Sequence, residues 1–239
     1  MFAAISIAIS LILWAGTADA ACKTISFEDT PFTVCKADPT RDDIRLFLND
    51  DEGAPLGTFD NVEAALGNSE LTFAMNAGMY HPDRRPVGLY IENGIELAPI
   101  VTRAGPGNFG LLPNGVFCLT SDAALVIESR AFDANRPDCT FATQSGPMLV
   151  IDGKLHPRFL PDSTSTNIRN GVGVRADGAM VTAISDTRVT FDHFARLFRD
   201  VLNTPNALFL DGSVSRLYAP ALNRHDLGFP MGPILGVAN

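Results

Sequence analysis

Three places along the chain set an Asn-Gly or Asp-Gly pair between runs of alternating apolar and polar residues. They are "VGLYIENGIELAPIV", turning at Asn93-Gly94, "PMLVIDGKL", at Asp152-Gly153, and "GVGVRADGAMVTAIS", at Asp177-Gly178. Alternation with period two is what a half-buried strand requires, and both dipeptides accept the positive φ angles of two-residue hairpin turns. Together they predict a largely antiparallel sheet. Helical periodicity is rarer. "TFDHFARLFRDVLN" places apolar residues at 191, 194, 195, 198, 201 and 202, one stripe, behind Thr190 as N-cap. "FDNVEAALG" predicts a second, short helix closed by Gly67. The first of these leads into "NALFLDGSVS", a short apolar run that reads as a buried strand and stops on Asp211. The fold class is α+β: a mainly antiparallel or mixed β-sheet with hairpins, flanked by a few helices, in a single domain.

The first twenty residues depart from this patterning. "MFAAISIAISLILWAGTADA" has one charge, Asp19, and an apolar centre too short to span a bilayer, followed by the small-x-small site Ala18-Asp19-Ala20. This predicts a signal peptide over 1–20, cut after Ala20, and a domain over 21–239 that is exported to the periplasm or the medium. A lipid-anchored start at Cys22 fits less well, because Asp19 stands where an aliphatic residue belongs. No second long apolar run follows, so no stable membrane insertion is expected after cleavage. Cys22, Cys35, Cys118 and Cys139 are an even set in an exported chain, which favours two disulfides over a thiol or zinc site. Three pairings are possible, and proximity favours Cys22–Cys35 with Cys118–Cys139. Loss of Asp19 takes the net charge from −9 to −8. An acidic chain without a basic run excludes nucleic acid as a partner, and any anionic ligand has to be held by a local arginine cluster.

Four segments share one form, an apolar strand running into glycine and polar residues: "FAMNAGMY", "ATQSGPMLV", "IRNGVGV" and "FLDGSVS". Singly, each is compatible with an ordinary turn; glycine there also lets backbone approach a ligand closely. Four in one chain point to a shared pocket. No G-x-S-x-G is present and the histidines have no evident pairing, which argues against a serine-hydrolase triad. The acidic runs "DPTRDD" and "NDDEG" read as solvated loops rather than a metal site.

Taken in order, N-x-G-x-Y, P-x-G, Q-S-G-P, R-x-x-x-G and L-D-G-x-x-S resemble the phosphodiester glycosidase family from about residue 70 to the C-terminus. The resemblance extends to a small exported bacterial branch through "GNFGLLPNGVF" and "RNGVGV". It implies an exported hydrolase that cleaves a glycosyl phosphodiester or related glycosidic bond, with a carbohydrate or sugar-phosphate ligand. The alternative is a non-catalytic periplasmic module that binds an anionic glycan. The chain departs from the family where L-D-G-G-G-S is usual: Ser213 and Val214 replace two glycines, and Ala77 stands in the N-G-G position. Valine resists positive φ, so a different loop path is expected.

Breaking a sugar C1–oxygen bond passes through an oxocarbenium-like state that a carboxylate stabilises, while a phosphate leaving group calls for a cation more than for an acid. Asp211, at a strand end and on the family's L-D-G, is the expected catalytic carboxylate, and Asp186 in "AISDTR" the second. Arg169 is expected to clamp the phosphate or a sugar acid. Asn76, Gln144 and Ser145 are expected to bind sugar hydroxyls or phosphate, with Ser215 matching the family's terminal serine. No cofactor or metal ligand set is expected; a divalent cation stays compatible with the chemistry.

Overall fold

The structure is a computed structural model that describes residues 21–211 and 214–239. The expected signal peptide over 1–20 lies outside the described residues. Among the described residues the strands form three sheets, and every pair within them is antiparallel. The first sheet runs, in spatial order, Ala21–Phe27, Thr30–Ala37, Met180–Ser185, Asn170–Val174, Asn206–Phe209, Met148–Ile151 and Lys154–Leu155. The second runs Arg224–His225, Leu217–Ala219, Leu71–Asn76, Ile234–Ala238 and Asp43–Phe47, and the third Ile95–Ala98, Tyr90–Glu92, Phe141–Ser145, Gly115–Leu119 and Ala124–Glu128.

Alternation along the strands divides each sheet into two faces. The inner faces meet in one core, with Val172, Met180 and Leu208 from the first sheet, Phe73, Met75 and Leu235 from the second, and Phe117 and Phe141 from the third. Each outer face is covered by one helix. Phe194, Leu197 and Phe198 pack on Phe32, Val34 and Phe209 of the first sheet. Phe59 and Val62, from the helix Phe59–Leu66, cover Leu71 and Ala74 of the second. Phe132, from the helix Ser129–Asn135, covers Val116, Cys118 and Ala142 of the third.

The expected turns are present in two forms. Asn93-Gly94 (φ 52° and 75°) and Asp152-Gly153 (φ 47° and 76°) are two-residue turns of the mirror-image kind. The third connection is longer: Arg175 N–H bonds the Ala179 carbonyl (2.9 Å), and of the Asp177-Gly178 pair only Gly178 takes a positive φ, 84°. Thr190 caps its helix as expected, accepting from His193 N at 3.2 Å, and Thr58 caps the shorter helix, accepting from Asn61 N at 3.2 Å. The second of these helices does not keep its period. After Phe191–Arg196 it widens into a π-helical turn over Leu197–Val201, with Leu202 N–H bonding the Leu197 carbonyl at 3.0 Å. That insertion rotates Leu197 fully into the core and leaves Val201 39% exposed, against the expected stripe. Cys22–Cys35 ties the first hairpin, and Cys118–Cys139 ties the third sheet to the segment after its helix. No helix among the described residues is long and apolar enough to cross a membrane.

Candidate active site

The strand Leu71–Asn76 ends on a buried amide that spans the loop after Leu210. Asn76 Nδ2 donates to the Asp211 carbonyl at 3.3 Å, and its Oδ1 accepts from Arg216 N–H at 2.8 Å. Asn170, the first residue of its own strand, donates to the Asn76 carbonyl at 2.8 Å and accepts from Asn76 Nδ2 at 3.4 Å. Ser215 Oγ donates to the Ile168 carbonyl at 3.1 Å and lies 3.4 Å from both Asn170 Oδ1 and the Asp211 carbonyl. Backbone completes the mount: Asp211 N–H bonds the Ala77 carbonyl at 3.0 Å and Leu210 N–H the Asn170 carbonyl at 3.1 Å. Asp211, only 8% exposed, is thus fixed by two strands and an asparagine pair. Val214, partly buried, packs against the apolar cluster that holds Phe59 and Val62. The expected different path of this loop turns on Gly212 and Ser213, which lie outside the described residues.

Tyr80 reaches the same carboxylate. Burial raises the pKa of its hydroxyl, the charge of Asp211 and a hydrogen bond to it add to the rise, and Arg84 and Arg216 oppose it. The Arg84 guanidinium lies 5.4 Å from the Tyr80 ring centroid. On the ring's other neighbour, a Cβ at Gly232 would come within 2.5 Å of Tyr80 Cγ, so glycine there leaves the ring its place. Beside this assembly opens a cavity of about 710 Å³, whose lining includes Arg188, Ser215, Arg216, Asp226 and Phe229; Ser215 and Arg216 connect it to the assembly, while Asp211, Asn76 and Tyr80 stand behind that lining. A second cavity, about 520 Å³, is lined by the acidic residues 50–52 and Glu92 and by none of the motif residues. Among the described residues no group of three or more His, Cys, Asp or Glu is placed to hold a metal ion.

Of the sequence-derived candidates for the site, Asn76, Asp211 and Ser215 come together; Gln144, Arg169 and Asp186 are engaged elsewhere, and Ser145 is buried apart from them. Gln144 is fully buried, accepts from Leu89 N and Val101 N at 3.0 Å, and donates to the Val101 carbonyl (2.6 Å) and Ser129 Oγ (2.8 Å). All four bonding positions of its amide are filled from within the third sheet's surroundings. The motif glycines serve this packing: a Cβ at Gly78 would lie 2.6 Å from the Gln144 carbonyl oxygen, and one at Gly88 would overlap Gln144 Oε1. Ser145 Oγ is buried without a hydrogen-bond partner among the described residues. Arg169 does not line the cavity. Its guanidinium donates to the Val189 and Ser165 carbonyls (2.9 and 3.2 Å) and stacks 3.6 Å from the Phe191 ring centroid. Burial, helped by the Arg188 charge, pushes its pKa down to about 10. Asp186 pairs with Arg224 at 2.5 Å, and Arg224 also holds Asp226 at 2.9 Å.

Three residues of the assembly were not singled out by sequence reasoning: Tyr80, Asn170 and Arg216. Each adjoins a residue or motif that was. Tyr80 closes N-x-G-x-Y, Asn170 follows Arg169, and Arg216 follows Ser215.

The profile of the phosphodiester glycosidase family matches residues 69–237, the stretch that carries the whole assembly. The chain belongs to the phosphodiester glycosidase family. The uncharacterized protein YigE of Escherichia coli (strain K12) is 34% identical over 181 residues, which are 75% of this chain and 71% of that protein. Among solved structures, the zebrafish N-acetylglucosamine-1-phosphodiester alpha-N-acetylglucosaminidase catalytic domain, auto-inhibited by its pro-peptide, superposes with a TM-score of 0.62 at 13% identity, covering 92% of this chain and 82% of that one. A hypothetical protein from Synechocystis gives 0.60 at 14% identity, covering 91% of this chain, which spans 61% of that one. A putative exported protein from Burkholderia pseudomallei K96243 gives 0.55 at 11%, covering 87% and 74%. At these identities the structural likeness concerns the fold. Membership of the phosphodiester glycosidase family itself rests on the profile and on the E. coli relative.

Proposed function

We propose that this protein is an exported hydrolase that cleaves a glycosyl phosphodiester, or a related glycosidic bond, in an envelope or extracellular glycan. The observation that carries the reading is the mount of Asp211: one asparagine amide fixes the start and end of its loop, beside a cavity of about 710 Å³. A carboxylate held so firmly suits a developing oxocarbenium charge, which rewards a preorganised anion. In the reaction, water oxygen bonds to C1 as nucleophile, either directly or after a glycosyl-enzyme step on Asp211. The C1–O bond breaks, its electron pair leaves with the phosphate oxygen, and the water proton ends on the products. Tyr80, hydrogen-bonded to Asp211 and kept protonated by burial, orients the carboxylate. Asp186, paired with Arg224, holds the wall that Asp226 forms rather than acting on the sugar. The two disulfides support an oxidising, extracytoplasmic location.

The test is hydrolysis of sugar-1-phosphodiesters in water enriched in oxygen-18. The reading expects reducing sugar carrying the label and an unlabelled phosphate monoester; label in the phosphate would mean P–O cleavage and a different mechanism. The replacement of two family glycines by Ser213 and Val214 favours one other reading, a module that binds an anionic glycan without turning it over. It would show saturable binding of the same compounds and no release of sugar.

A further inference from the structure

The arginines of this protein mostly meet carboxylates: Arg45 with Asp43, Arg136 with Glu96 and Asp133, Arg199 with Asp200, Arg224 with Asp186 and Asp226. Arg169, buried without a carboxylate, is satisfied by two carbonyls and an aromatic face. Arg216 has neither. The residue is 8% exposed and lines the cavity, yet among the described residues its guanidinium makes no hydrogen bond, close ion pair or ring contact, and only the more distant charges of Tyr80 and Asp226 offset its burial. Its backbone is fixed by Asn76, so the side chain is aimed rather than free to turn to solvent. Taking a guanidinium out of water without an anion is costly, and a fork of five donors left open in a cavity matches a phosphoryl oxygen pair.

The rest of the cavity fits that reading. Arg188, exposed at the cavity's edge, also lines it, and among the described residues it bonds to the Thr166 carbonyl and Asn167 Oδ1 and to no carboxylate. The carboxylate in the lining, Asp226, is spent on Arg224 and on Leu217 N–H at 3.0 Å. His225 is 3.3 Å from Asp60. Gly228 lies against Arg216: a Cβ there would overlap Nη2 and come 2.6 Å from Cζ. A side chain at 228 would displace the guanidinium, the flexible partner in that contact, and would also strain a backbone held at φ 153°.

We propose that Arg216 is the phosphate seat of this cavity, so that the substrate carries its anionic phosphoryl group against Arg216 and Arg188 with the scissile sugar carbon toward Asp211. This rests on the hydrolase reading for the placement of the sugar but not for the binding of the anion. The test measures two quantities on wild type, Arg216→Gln, Arg216→Lys and Gly228→Ala, each first checked for a native melting transition. One is calorimetric binding of inorganic phosphate. The other is kcat/KM for a sugar-1-phosphodiester relative to an aryl glycoside of the same sugar.

Wild type is expected to bind phosphate, and Arg216→Gln to weaken that binding about tenfold to a hundredfold, the effect of one lost charged hydrogen-bonding partner. Arg216→Lys should recover part of the loss, and Gly228→Ala should resemble Arg216→Gln although the arginine is present. On the phosphodiester the loss should exceed that on the aryl glycoside by about tenfold or more. Wild type without phosphate affinity, or Arg216→Gln with unchanged affinity, overturns the proposal even if hydrolysis is found. Arg216-dependent phosphate binding with no turnover of any sugar substrate upholds the seat and removes the hydrolase.

Discussion

Asn76 carries two tasks in one side chain. Its Nδ2 holds the Asp211 carbonyl and its Oδ1 holds Arg216 N–H, so the loop between them is anchored at both ends. Asn76→Ala leaves the buried Arg216 N–H unpaired and the Asp211 carbonyl with only the long contact from Ser215, which predicts a stability loss of about 2 kcal/mol by urea titration. It also predicts a fall in kcat larger than any rise in KM, because the carboxylate loses its aim before the pocket loses its shape. A variant with native kcat would mean that the Asp211 mount does not depend on this amide. At this scale the sequence was informative where a polar residue met a glycine at a strand end, as at Asn76 and Asp211. It was silent on direction. Arg169 and Arg216 each stand beside a motif residue in sequence, but one turns onto Phe191 and the other toward a cavity. Only long-range packing distinguishes them.

At the scale of elements, strand alternation and primed turns were readable because both are local. The π-helical turn was not. From period alone Val201 faces inward, yet the i→i+5 bond from Leu202 to Leu197 re-phases the last turn. Leu197→Ala is therefore expected to cost about 2–4 kcal/mol and Val201→Ser to stay within about 0.5 kcal/mol. Chemical denaturation of the two variants checks this, and the reverse order would contradict the observed register. The helix Ser129–Asn135 also escaped the sequence pattern. It is seven residues long, its apolar contact is the single buried Phe132, and Glu128 caps it in place of the usual Ser or Thr. Too few positions repeat for a period to appear.

For the whole molecule, antiparallel pairing follows from hairpins, but the division into three sheets and their mutual packing do not follow from any local signal. The disulfide pairing did, since the cysteines lie 13 and 21 residues apart. Replacing Cys118 and Cys139 by serine predicts a loss of about 3 kcal/mol, read as a lower melting temperature that reductant does not lower further at that bridge. Acid sensitivity has an identifiable contributor in His156, which stacks on Phe159 at 4.8 Å. Burial holds its imidazole below the usual 6.5, so the unfolded chain binds the proton more readily than the native one. Its stability contribution is complete above pH 6.5 and is lost as the pH falls through that value toward the native pKa. His156→Gln should flatten the stability profile on that side; an unchanged slope would assign the sensitivity elsewhere.

The central claim is that Asp211 performs the chemistry at the edge of the cavity that Ser215 and Arg216 line. Its most direct test is Asp211→Asn, compared with wild type for release of reducing sugar from sugar-1-phosphodiesters and for calorimetric binding of the same compounds. The account predicts release by wild type, and binding within about threefold by the variant with release reduced by about a thousandfold or more, since the amide keeps the shape and removes the charge. Release by Asp211→Asn at a rate near that of wild type would contradict it.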